Sequence, residues 1–260
     1  MTSEFFSTLA SRNAILYWLG CSFFIAAVIS IILLLTTKRK VLGVNAWLKP
    51  TKFFVSTGIF AWTMAWLLGY LPQSSTIISY TWVVVAVLVF ENVYIAIKAA
   101  MGQLSHFNIS TPFNGVMFGL MGIAISIMTV FTAYIGWLFF VEPLPNLSPA
   151  YLWAIRLGIA IFVIFAFEGG IMGSKLSHTV GAPDGGEGMP ITYWSKHHGD
   201  LRIAHFVGMH ALQLLPLLAY YIIDNVTIIL LVGAAYFLLS IWLLVRALKG
   251  KGWGLVGAAV

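Results

Sequence analysis

Charge is scarce in this chain: of 260 residues, 8% are Asp, Glu, Lys or Arg, while 60% are hydrophobic. An ordinary soluble domain carries about 25% charged residues, so that class is excluded and lipid is the expected surround. Cysteine is scarcer still. Cys21 stands alone inside an apolar run, which excludes an intrachain disulfide and any thiolate-built metal site; a metal here has to be held by nitrogen and oxygen. Acids number 8 against 14 Lys and Arg, giving a net charge of +6. Those cations sit in short loops between apolar runs, where they orient a chain in a bilayer, so nucleic acid is not an expected partner.

Other absences narrow the field further. No basic stretch precedes the first apolar run and no cleavage-like site leads into a polar domain, so that run reads as a retained span and not as a removed signal. No period of 20 to 50 residues marks a solenoid, and no inverted repeat is visible, leaving residues 1–260 as a single transmembrane domain. HExxH spacing and HxxHH-type clusters are missing, which excludes the familiar zinc proteases and membrane desaturases. The last apolar run has no lysine before Lys249, so a retinal Schiff base has no site.

What is present is a series of apolar runs. A spanning helix needs about 20 mostly apolar residues to cross a hydrocarbon core about 30 Å thick. Seven runs qualify, near 14–37, 52–71, 76–101, 113–140, 150–173, 201–222 and 226–247. The expected fold is all-α, a bundle of seven transmembrane helices. Of the 14 cations, 12 fall on one side of this scheme and only Arg12 and Arg156 on the other, which predicts an outside N-terminus and a cytoplasmic C-terminus. The expected location is the cell inner (plasma) membrane. Arg156, near the outer end of its span, is expected to snorkel.

Between the fifth and sixth spans lies the longest connection, Ser174 to Asp200, whose Gly- and Pro-dense centre cannot form helix or strand. Its length favours an ordered, functional loop, and Asp200 suits an N-cap for the helix that follows. Gly115 with Gly119, and Gly169 with Gly173, have the spacing that lets membrane helices approach closely. Internal seams are the first expectation for these glycines, and oligomer contacts the second.

Ionisable groups inside spans cost a few kcal/mol on insertion scales and so need an explanation. Glu91, Lys98, Glu168, His205 and His210 are the ones to explain. Counting back from the end of its span, Glu91 lies about 15 Å deep, with Lys98 about a turn from the edge. His106 and His178, in or next to cytoplasmic loops, are positioned to fold back over these groups. His197 and His198 read as solvated loop residues. Gln213 extends the polar stripe beyond His210, although His205 and His210, five residues apart, do not share a helical face.

Three functions fit. In the first, a metal-dependent membrane enzyme acts on a lipid or other apolar small molecule. Here His205, His210, His106 and His178 are the metal ligands, Glu91, Glu168 and Lys98 the catalytic groups, and Zn, Fe or Mn the metal. In the second, a proton-coupled transporter uses the same Glu, His and Lys groups along a polar path. In the third, a b-type haem binds between histidines at the cytoplasmic rim. Membrane lipid is the partner common to all three.

Overall fold

A computed structural model describes residues 2–253. Among them are eight helices: α1 Thr2–Arg12, α2 Ala14–Thr36, α3 Leu48–Leu68, α4 Ser75–Met101, α5 Pro112–Val141, α6 Pro149–Lys175, α7 Leu201–Tyr221 and α8 Val226–Leu248. Among the described residues the only ladders are two-residue pairs, β1 Lys40–Val41 with β2 Val44–Asn45, and β3 Thr179–Val180 with β4 Gly199–Asp200. The protein is all-helical, and six helices, α2 and α4 to α8, are long and apolar enough to cross a membrane. That count is one fewer than the seven runs. The exception, α3, has the length, at 21 residues, but carries Lys49 and Lys52 at its start and Ser56, Thr57 and Thr63 along it.

Helix starts follow local chemistry. Asn13, Ser74, Thr111, Ser148 and Asn225 each accept the N–H three residues on, for α2, α4, α5, α6 and α8. Asp200 caps α7 through the N–H of Arg202, as its place in the sequence predicts. Each cap contributes about 1 kcal/mol by satisfying a donor the helix itself leaves open. Pro112 and Pro149 occupy first helical positions, where a missing N–H is harmless.

The chain divides into two compact units, the first ending at Leu144 and the second starting at Pro145. In the first, α2 and α3 form the closest pair, α4 packs on α3, and α5 on α4. Trp62 of α3 lies over Gly20 of α2 and donates its indole N–H to the Tyr17 carbonyl at 3.0 Å; Phe24 of α2 covers Gly58 of α3. With lipid tails as apolar as leucine, such close contacts, and not hydrophobicity, select the partner helix. Helix α1, which no apolar run announced, lies against α2 and α3. Its Leu9 is fully buried, and its Phe5 and Phe6 pack on Trp66 and Trp62. Arg12 stacks over Trp66 and Tyr70 at 3.9 and 4.1 Å from the ring centres and donates to the Trp66 carbonyl.

In the second unit α6 and α7 make the closest seam, with α8 against both. Glycines set it: Gly158 of α6 meets the backbone of Ala211 and Leu212 beside Pro216, and Gly208 of α7 sits on the Phe165 ring. Gly169 is also part of it, under the His205 ring. Gly115 and Gly119 correct the expectation of an internal seam, because a Cβ at either would meet nothing within 4 Å.

The α6–α7 connection is ordered around two carboxylates. Asp184 accepts from the Ser177 hydroxyl, from the backbone N–H groups of His178 and Thr179, and from His178 Nδ1 at 2.9 Å. Asp200 accepts from Ser195 N–H and from the Arg202 guanidinium.

Candidate functional site

In the first unit, Glu91 and Lys98 both lie buried on α4, 5% and 4% exposed. Seven residues apart, they do not pair with each other. The charge of Lys49, in the first turn of α3, acts on Glu91. Lys98 runs toward the helix end and donates to Gln103 Oε1 at 2.8 Å and Asn114 Oδ1 at 2.7 Å, with the Tyr94 ring centre 5.5 Å away. Asn114 is held in turn by Ser110, and Ser110 by Asn108, so the α4–α5 turn is a hydrogen-bonded cage around one ammonium. Lys98 lies in the last turn of α4, where the helix dipole favours a cation. His106 rests among Phe53, Phe107 and Phe118, with Nδ1 at 3.2 Å from Ser105 Oγ.

In the second unit, α6 carries Glu168 one turn past Phe165, and α7 brings His205 across the seam to both. His205 Nδ1 lies 2.7 Å from the Phe165 carbonyl and 3.3 Å from Glu168 Oε2. A carbonyl only accepts, so Nδ1 carries the hydrogen and spends it on Phe165. Glu168 is left with neither oxygen hydrogen-bonded, although its side chain is only 3% exposed. A buried carboxyl that no donor satisfies is costly, and Glu168 is held in that position with the His205 imidazole beside it.

The other histidines have separate partners. His210 places Nδ1 at 3.2 Å from Gln213 Oε1 and packs edge-on against Phe206. His178 is clamped to Asp184. Burial works to raise the Asp184 carboxyl, but the hydrogen bond and charge of His178, with the neighbouring N–H donors, hold it well below the usual carboxylate range. His197 pairs with Glu187 in the open, as does Lys196, and these partners draw the Glu187 carboxyl down.

Among the described residues no three His, Cys, Asp or Glu side chains come together as a metal site would require. The structure does not assemble His205, His210, His106 and His178 into a ligand set. Two of them are turned to acids instead: His205 to Glu168, and His178 to Asp184.

No family model, curated protein or solved structure matches the chain.

Several participants were invisible in the sequence. Gln103 and Asn114 look like turn residues until the chain folds back on Lys98. The Phe165 carbonyl has no side-chain signature. Asp184 had one faint signal, a carboxylate six residues past a histidine in a glycine-rich loop.

Proposed function

We propose that the chain is a seven-span membrane protein of the cell inner membrane, N-terminus outside and C-terminus cytoplasmic, that couples the movement of a small solute to protons at Glu168 and His205. The buried, donor-less carboxyl of Glu168 beside an imidazole is the observation that carries this reading. A buried carboxyl facing an imidazole across a seam of apolar helices is the chemistry that a proton-coupled carrier would use. Pro216, which removes a helix hydrogen bond from α7 where Gly158 lets α6 approach, supplies a place for that helix to bend. The six apolar helices and the 12-to-2 division of cations support the topology, with α3 as a seventh, more polar span shielded by its neighbours.

Purified protein in vesicles containing a pH-sensitive dye tests the reading. Wild type moves protons when a pH gradient is imposed, and Glu168→Gln does not; undiminished proton movement in that variant removes Glu168 from the function. For the topology, Gly186→Cys in a Cys21→Ser background should resist an impermeant thiol reagent in intact cells. Labelling there inverts the scheme.

A further inference from the structure

The α6–α7 connection holds a backbone conformation that its own sequence disfavours. Residues 188–195 form a small hairpin, with Gly188 bridged to Ser195, Met189 N–H on the Trp194 carbonyl and Tyr193 N–H on the Met189 carbonyl. At its tip Thr192 N–H reaches back to the Pro190 carbonyl at 2.7 Å, a three-residue turn centred on Ile191 at φ 66°. A β-branched residue in that region is a true outlier, and this turn is strained even for residues that tolerate it; glycine would relieve it. The isoleucine held there is 82% exposed, and Tyr193, at φ 53°, is 42% exposed.

Two contacts fix where this tip stands. Arg202, in the first turn of α7, donates to the Tyr193 carbonyl at 2.7 Å, and Trp194 packs edge-on against Phe206, one turn further along, with ring centres 5.5 Å apart. Phe206 is itself 47% exposed on a helix long and apolar enough to cross a membrane. Through Trp194 the hairpin is thus seated on an exposed residue in the second turn of α7, near the end at which that helix starts, with exposed Tyr193 and Ile191 next along the chain. Tyr and Trp are the residues that favour the membrane–water interface, with an apolar body below and a polar edge toward the headgroups.

We infer that the hairpin tip is a lipid anchor: Ile191 and Tyr193 enter the headgroup and acyl boundary of the leaflet from which α7 starts. The occupant is phospholipid, because the hairpin packs through Trp194 on the exposed face of a helix long and apolar enough to cross a membrane. The inference rests on the membrane reading of α7 and is independent of proton coupling. A strained turn that projects an aliphatic side chain makes sense there, since burying Ile191 in lipid offsets the backbone cost.

The test uses full-length protein carrying Cys21→Ser in phospholipid vesicles, with a polarity-sensitive fluorophore at Ile191→Cys or, as a second variant, Tyr193→Cys. Nitroxide on a shallow acyl carbon is expected to quench either label at least about twofold more strongly than nitroxide at the chain end, with aqueous iodide ineffective, as the depth of an interfacial residue requires. Quenching by iodide alone places the tip in water and overturns the inference; protection from every quencher means that protein covers it and overturns it equally. Leu238→Cys, on the exposed middle of α8, separates this from failure of the membrane reading. If nitroxides quench Leu238→Cys at depth but none, shallow or deep, quenches the hairpin labels, only the anchor fails. If they quench neither, the membrane reading fails first.

Discussion

The two units treat a buried glutamate differently. Glu91 on α4 has the permanent charge of Lys49 acting on it, and its neighbour Lys98 is enclosed by amide oxygens. Glu168 on α6 faces an imidazole whose N–H is already committed to a backbone carbonyl. A lysine keeps its charge under ordinary conditions, whereas the charge of a histidine depends on pH near neutrality, which is the property the proposed proton coupling would use. Similar acids on similar helices thus feel a lysine charge in one unit and face an imidazole in the other, and the difference lies in what the adjacent helix contributes.

Breaking each pair should reveal the contrast. The largest effect is expected for Glu168→Gln, which should bring proton movement down to that of protein-free vesicles, while Glu91→Gln keeps most of it; equal losses would erase the distinction. Next is Lys98→Ala, which leaves the buried Asn114 Oδ1 without its ammonium donor. It should lower stability by about 2–4 kcal/mol, read as a fall in the thermal unfolding midpoint with proton movement per folded molecule unchanged.

Glycines sharpen the same comparison on the packing side. Gly208→Ala drives a methyl into the Phe165 ring and should cost about 1–3 kcal/mol. Gly115→Ala, with open space at the Cβ, should be neutral or slightly stabilising by helix preference.

The smallest effect concerns the α6–α7 loop. Because folding draws the Asp184 carboxyl down, its contribution is complete above the ordinary carboxylate range and is lost as pH falls through and below it. Amide exchange at His178 and Thr179 should therefore be slow at neutral pH and speed up in acid, and Asp184→Asn should remove that acid dependence at a cost of about 1 kcal/mol. Glu187→Gln, at an exposed pair, should leave the unfolding midpoint unchanged.

Much of the fold was legible because apolar runs, caps and turn residues act locally. Asp200 before Leu201 and Ser74 before Ser75 mark helix starts through a hydrogen bond that closes within one turn. Helix α1 was not legible, since its Leu9, Phe5 and Phe6 acquire meaning only against Trp62 and Trp66, more than fifty residues away. The site divides in the same way. Glu168 and His205 stood out as polar groups in apolar helices, but a shared polar stripe gave no sign that His178 would turn to Asp184 or that Lys98 would close the α4–α5 turn.

By itself, the order of residues determined that this chain is helical, apolar and asymmetric in its basic loops, because each of those properties depends on composition over a window no longer than one helix. Only the tertiary structure decided which acid meets a lysine and which a histidine, and which glycines pack and which stay open. Those outcomes depend on the rotation of one helix against another, to which residues distant in the chain contribute together.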